Sequence, residues 1–424
     1  MELLLSICLS VAFLNARKEN KNILNPSILC PGLWLVIVIL GDFQLFTLKT
    51  ASETARMCIG IGVASFVMGS LTYSKFFGKY KIRAKYNIQD KPNYNLIYFM
   101  SAICIVYFLP RAISSINVLL NGNKLSTIRN LAQGTKNNTG FANFWYNFIV
   151  LPSAVIIEPL AMSDFWQGKK STKIFVINLL IVFLRVIADG GRTPLFNLVL
   201  YMLVGYYLFK DRKSKKIIHD VAKKQRKIKR YGLLAVILLG IVSLSRSVST
   251  IWRLAYFYFA MSPILLTNWL RMIDTRHFLS YGLTSLNGFI YPITYIIKNL
   301  LRVNYPKSII NAYYFIAETD STWLLINGQG TDANAYVSMF TFFYADARWL
   351  GVVLGSFLYG FLMQYLYTKM QKNKKMLNIS LYMLAYQGLF FSFIRFPFVK
   401  GYYCLAYLFI SLVAFRINKR QGGK

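Results

Sequence analysis

Acidic residues are scarce: 15 Asp and Glu stand against 49 Lys and Arg in 424 residues, with only two His and five Cys. No Walker A loop, HExxH helix or Gly-rich dinucleotide fingerprint occurs, which argues against the nucleotide and zinc-hydrolase chemistry that those spacings serve. An Asp-x-Asp pair, able to hold a metal and a nucleotide diphosphate, is missing as well. Cys8, Cys30, Cys58, Cys104 and Cys404 lie in or beside apolar stretches without ligand spacing, so neither a disulfide frame nor a metal site is expected. No cofactor is implied. The first apolar run starts at the initiator Met with no basic region and no small-residue cleavage site, and it reads as a retained span.

What is present is apolar. Hydrophobic residues make up 56% of the chain and aromatic ones 16%, and runs long enough to cross a hydrocarbon core of about 30 Å recur from end to end. The expected fold is all-α: a polytopic transmembrane helical bundle of about eleven spans, one integral membrane domain over 1–424. The runs cover roughly 2–15, 27–47, 57–74, 94–110, 143–162, 173–188, 194–209, 231–245, 337–366, 377–395 and 399–415.

A net charge of +34 raises the question of nucleic acid, but its distribution answers otherwise. Basic residues crowd alternate connections: Arg17 to Lys21, Lys75 to Lys85, Lys169 to Lys173, Lys210 to Arg230, Lys372 to Lys375 and the tail. Insertion with positive loops inside predicts this pattern, which puts the N-terminus outside and the C-terminus inside. No nucleic-acid partner is expected; membrane lipid is. On the outer side 246–336 forms a long external loop. Two more apolar stretches lie within it, 254–270 and 278–301, interrupted by Pro263, Gly282, Gly288 and Pro292 and rich in aromatic residues. They are expected as interfacial helices, an extra hairpin being the alternative.

The outer connections also carry arginines that the insertion rule does not explain. Arg111, Arg129, Arg192, Arg246, Arg253 and Arg271 are the candidate substrate-binding residues among them, and Arg276, Arg302 and Arg348 accompany them. A guanidinium fork grips phosphate oxygens bidentately and stays charged, which suits a lipid-linked diphosphate at the interface. Pairing with anionic head groups or with neighbouring carboxylates is the other explanation. Arg192 stands on a Gly190-Gly191 turn beside Asp189, which neutralises it in that second account. Glu158 and Arg185, inside neighbouring runs, form a structural pair or line a pocket. A base acting on an outer substrate must lie outside, which leaves His277 of the two His, with Asp274 three residues earlier placed to orient its imidazole on a helix. His277 and Asp274 are therefore the candidate catalytic residues, and Glu318, Asp320, Asp332 and Asp346 compete as bases.

The whole chain resembles the bacterial oligosaccharide repeat-unit polymerases, the O-antigen and capsule polymerase family. Three features carry the resemblance: many spans with outer loops of unequal size, the Gly190-Gly191-Arg192 turn, and the segment Phe342-Phe343-Tyr344-Ala345-Asp346-Ala347-Arg348-Trp349-Leu350-Gly351 running into Gly355 and Gly360. Here Ala347 and Arg348 stand where the family often has Gly. An Arg and a Gly with ten residues between them, another family feature, fit at Arg111 to Gly122, Arg129 to Gly140 and Arg271 to Gly282. The resemblance implies glycosyl transfer between two undecaprenyl-diphosphate-linked oligosaccharides at the outer face of a bacterial cytoplasmic membrane, with a flippase and chain-length regulator proteins as possible partners. A lipid-linked oligosaccharide flippase or other transporter, and a polysaccharide ligase, remain the alternatives.

Overall fold

The computed structural model describes Ser10, Leu14 and residues 22–77, 92–121, 141–167, 172–209 and 248–414. The expected spans at 2–15 and 231–245 fall almost wholly outside these residues, as do Arg129 and Arg246.

The fold is helical. In chain order come α1 Pro26–Asp42, α2 Glu53–Phe77, α3 Tyr94–Leu120, α4 Phe141–Gln167, α5 Thr172–Asp189, α6 Thr193–Phe209, α7 Val248–Ala260, α8 Ser262–Thr275, α9 Asn287–Leu301 and α10 Lys307–Ser321. Two short antiparallel strands, β1 Leu324–Leu325 and β2 Asp332–Ala333, precede α11 Ser338–Lys372, α12 Met376–Phe390 and α13 Gly401–Ala414. Among the described residues five helices are long and apolar enough to cross a membrane: α2, α3, α4, α11, and α12 with its extension to Phe393. The chain is that of a membrane protein. Shorter apolar helices are α1, α6 and α13 up to Val413.

Local chemistry sets several helix starts. The Asn25 side chain accepts from the Ser27 N–H at 3.0 Å with Pro26 opening α1, and the Asn93 side chain accepts from the Leu96 N–H at 3.2 Å to cap α3.

Two compact units divide the chain: the described parts of Met1–Ala84, Arg246–Lys372 and Ala385–Cys404, and those of Lys85–Ser245, Asn373–Leu384 and Leu405–Lys424. In the first, α2 and α11 pack backbone to backbone. A Cβ on Gly69 would lie 2.0 Å from the Phe357 carbonyl oxygen, and one on Gly360 would lie 2.0 Å from that of Phe66. Small residues permit such an approach where lipid supplies no hydrophobic drive between helices. A hydrogen-bond chain ties α1 to the same pair, Ser27 Oγ to Ser70 Oγ at 2.7 Å and Ser70 Oγ to Gln364 Oε1 at 2.9 Å. In the second unit α4 is almost wholly buried from Leu151 onward. Its Glu158 pairs with Arg185 of α5 at 3.3 Å, and its Asp164 accepts from the Tyr94 hydroxyl at 2.7 Å.

Three expectations need correction. Helix α3 does not end at 110; it runs through Pro110 to Leu120. The stretch at 254–270 is not one interfacial helix but parts of α7 and α8, and α8 buries Leu265, Leu266, Trp269 and Ile273 inside the first unit. The stretch at 278–301 begins as turns and is helical only from Asn287; α9 then exposes Phe289, Ile293, Ile297 and Leu300 along one face, as an interfacial helix would.

Candidate functional site

The site candidates of the first unit cluster around a break in α11. At Ala347 (φ −157°, ψ 38°) and Arg348 (φ 51°, ψ −136°) the helix doubles back, so sharply that a Cβ on Gly351 would sit 2.0 Å from the Phe343 carbonyl oxygen. Arg348 occupies a backbone region that side chains rarely enter, and only surrounding contacts hold it there.

Those contacts are specific. The buried Asp346 carboxylate accepts through Oδ1 from the Ser280 hydroxyl at 2.5 Å, the Thr284 hydroxyl and the Thr284 N–H at 3.1 Å, and through Oδ2 from the Ser285 N–H at 3.3 Å. The carbonyls of Ala345 and Asp346 accept from the N–H groups of Ser280 and Tyr281, each at 3.0 Å. Arg348 closes the other side: Nη1 donates to the Phe278 carbonyl at 2.9 Å, Nη2 to the Ile273 carbonyl at 3.2 Å, and Nε lies 3.3 Å from Asp274 Oδ1. Its guanidinium thereby ties the end of α8 and the turn after it to the bend in α11, the Ile273 carbonyl accepting from the Phe278 N–H at 3.1 Å as well.

Asp274 is the exposed carboxylate of this cluster. Its side chain is 49% accessible, and the Tyr344 hydroxyl donates to it at 3.0 and 3.1 Å. The expected geometry with His277 is not formed. Helix α8 ends at Thr275, so a three-residue helical spacing does not carry to His277, which turns into the left-handed region at φ 48° and donates its N–H to the Asp274 carbonyl at 3.1 Å. Tyr344 and Arg348, not the imidazole, orient Asp274. Beside them Arg276 grips Glu318 of α10 bidentately at 2.6 and 2.8 Å, over an open groove lined by Met272, Phe278, Asn311, Tyr314 and Phe315. The hydrogen bonds it donates to the Glu318 carboxylate hold the Arg276 guanidinium above its ordinary pKa.

The structure distributes the remaining candidates. Arg271 is exposed on α8, one turn before the end that carries Asp274. Arg253 lies on α7 with its guanidinium 6.0 Å from the Phe257 ring. Arg111 and Arg192 belong to the second unit. Arg111 is inside α3 and not in a loop, stacked on Tyr107 at 4.3 Å and 5.6 Å from Tyr146, an arrangement in which cation–π attraction replaces hydration. Arg192 is half-buried just before α6, after Gly190 at φ 61°, and its carbonyl accepts from the Phe196 N–H at 3.1 Å.

Sequence reasoning missed Tyr344, Ser280 and Thr284, and it missed the two cations that bind Asp320, which it named only as a competing base. Asp320, the penultimate residue of α10, accepts from Arg395 at 2.5 Å and Lys400 at 2.7 Å. Both cations sit in the short connection before α13, where two charges between apolar runs were the available signal. Compared with known protein families, with curated proteins and with solved structures, the chain finds no match in any of the three.

Proposed function

We propose that the protein polymerises undecaprenyl-diphosphate-linked oligosaccharide repeat units on the outer face of the cytoplasmic membrane. In this reading eleven spans place the N-terminus outside, the C-terminus inside, and the α8–α11 cluster on the outer side. The observation that carries it is the exposed Asp274 carboxylate, aimed by Tyr344 and Arg348 at the bend of the segment that resembles the polymerase family. Arg271 and Arg276 stand on the same short stretch.

The chemistry follows from those groups. The acceptor hydroxyl oxygen attacks the anomeric carbon of the growing chain, and the bond to its lipid diphosphate breaks with the electron pair leaving on the diphosphate. The hydroxyl proton passes to Asp274, a base held in place by its donors. Arginine forks stabilise the departing charge. His277 is the alternative base, reached from the same loop.

The test is the lipid-linked glycan of a deletion strain. Single repeat units on lipid support the polymerase; full-length polymer left on lipid indicates a ligase, and units trapped at the inner leaflet indicate a flippase. The orientation is tested by cysteine labelling: Gly328→Cys should react with an impermeant thiol reagent in intact cells and Ser214→Cys should not, and the reverse would overturn the reading.

A further inference from the structure

Asp274 and its partners leave unused the groove between the end of α8 and α10 in the first unit. Helix α10 presents Asn311, Tyr314, Phe315 and Glu318 to it, positions that share one helix face. The floor is apolar: Phe315 is buried, its ring stacked on Phe278 at 4.6 Å and set edge-on to Trp269 at 5.6 Å, and Met272 continues it. The rim is polar. Tyr314 is 65% exposed and Asn311 is exposed as well, and neither the Tyr314 hydroxyl nor the Asn311 amide has a hydrogen-bond partner among the described residues. At the other end of the groove Arg276 and Glu318 engage each other at 2.6 and 2.8 Å, and neither has a further partner among the described residues.

These groups select an occupant. The Arg276–Glu318 pair is neutral as a whole, so an incoming phosphate or carboxylate meets the Glu318 carboxylate, and a cation meets the guanidinium. An acyl chain laid over the pair and the Asn311 amide would bury them without partners, at about 1–3 kcal/mol for each group left unsatisfied. What fits is an uncharged molecule with an apolar face and both donors and acceptors on its edge. The unused N–H groups of Arg276 and the second lone pairs of the Glu318 oxygens stand side by side, and a hydroxyl, which donates and accepts at once, matches both. Asn311 offers the same two functions from two turns earlier, about 10 Å along the helix axis, so the two ends reach opposite edges of one ring while the Tyr314 ring covers its face. The volume is about 210 Å³, below the roughly 300–1,000 Å³ of sites for drug-sized ligands, which suits a single ring and not an extended chain.

We propose that this groove is a subsite for one uncharged sugar ring. A pyranose turns C–H groups to one face and hydroxyls to its rim: Tyr314 takes the face, and Asn311 and the Arg276–Glu318 pair take hydroxyls at two edges. That the ring belongs to a lipid-linked repeat unit, delivered to Asp274 two residues before Arg276, rests on the polymerase reading; that the groove takes a neutral sugar does not.

The experiment measures binding of the methyl glycosides of glucose, galactose, N-acetylglucosamine and glucuronic acid to the full chain by saturation-transfer NMR, in a detergent without a sugar head group. At least one neutral glycoside should bind with a Kd below about 10 mM, and the glucuronide about fivefold more weakly than the best of them. Tyr314→Ala should weaken that binding about tenfold with an unchanged melting temperature, and Tyr314→Phe, which keeps the ring face, should stay within about twofold of wild type. Glu318→Gln leaves the Arg276 charge unmatched and should reverse the preference, the glucuronide then binding about fivefold more tightly than the neutral sugar. If Glu318→Gln does not fold, the two Tyr314 variants and the wild-type preference carry the decision. No binding of any neutral glycoside means that Arg276 and Glu318 only staple α8 to α10, and it overturns the subsite; so does a Tyr314→Ala variant that binds like wild type, or a wild type that binds the glucuronide best. Binding without single repeat units on lipid in the deletion strain keeps the subsite and removes the polymerase, whereas single repeat units without binding remove the subsite alone.

Discussion

Asp346 is held twice by Thr284, through its backbone N–H at 3.1 Å and through its hydroxyl. With Ser280 and Ser285 on the remaining lone pairs, the carboxylate is an anchor that fixes the turns before α9 against the bend in α11. Asp346→Asn puts an amide donor among donors. It should destabilise the protein by about 3 kcal/mol, the loss expected when a buried charged acceptor is removed. Thermal melting in detergent checks this, and a melting temperature unchanged from wild type would show that the anchor carries no weight.

The pairing of Asp274 with Tyr344 and Arg348 separates two candidate bases. Asp274→Asn should fold, because the residue is exposed at a helix end, yet lose about a hundredfold or more in polymerisation, the usual size of a general-base effect. His277→Gly removes the imidazole and at the same time suits a backbone at φ 48°, so its melting temperature should hold or rise, by about 1 kcal/mol of relieved strain. Chain-length analysis of the two variants at matched expression decides the base: normal polymer from Asp274→Asn and none from His277→Gly would transfer the role to His277.

The sequence made the apolar runs plain and the breaks within them obscure. Helices α2, α4 and α12 follow from length and composition alone, because lipid demands continuous backbone hydrogen bonding over about 20 residues. The fold-back at Ala347–Arg348 has no such signal, since neither residue is Gly or Pro and the donors that hold it, Ser280 and Thr284, lie more than 60 residues earlier. Arg111 illustrates the opposite error. A charge after Pro110 reads as the end of a span, but Tyr107 one turn earlier and Tyr146 on α4 supply aromatic faces that let the helix carry the guanidinium onward. The end of α8 at Thr275 was equally hidden, because the contact that fixes it is the side chain of Arg348, 70 residues or more from the carbonyls it serves.

Asp320 makes stability depend on pH in a known direction. Its folded pKa lies below the ordinary value, so the stabilisation from Lys400 and Arg395 is complete above the unfolded carboxyl pKa of about 4 and disappears as pH falls through the folded one. The melting temperature should stay level from neutral pH to about 5 and then decline, and Asp320→Asn should flatten part of that decline. A variant with the full acid slope would place the titration on other carboxylates.

Arg348 sets two demands against each other. Its backbone at φ 51°, ψ −136° is a glycine-like conformation that costs about 1–3 kcal/mol for a residue with a side chain. Its guanidinium serves the carbonyls of Ile273 and Phe278; the first also accepts from the Phe278 N–H at 3.1 Å, so losing the fork unpairs one partly buried acceptor, at about 1–3 kcal/mol. The two costs are of similar size, so Arg348→Gly should melt close to wild type, its easier backbone offsetting the lost fork. Arg348→Lys keeps the charge near Asp274 but retains the strain and cannot reach two carbonyls with a fork. It should therefore melt below Arg348→Gly. Melting curves of the three proteins in one detergent give the order directly; a lysine variant as stable as wild type would mean that charge alone, and not the two-pronged contact, holds the end of α8 to the bend in α11.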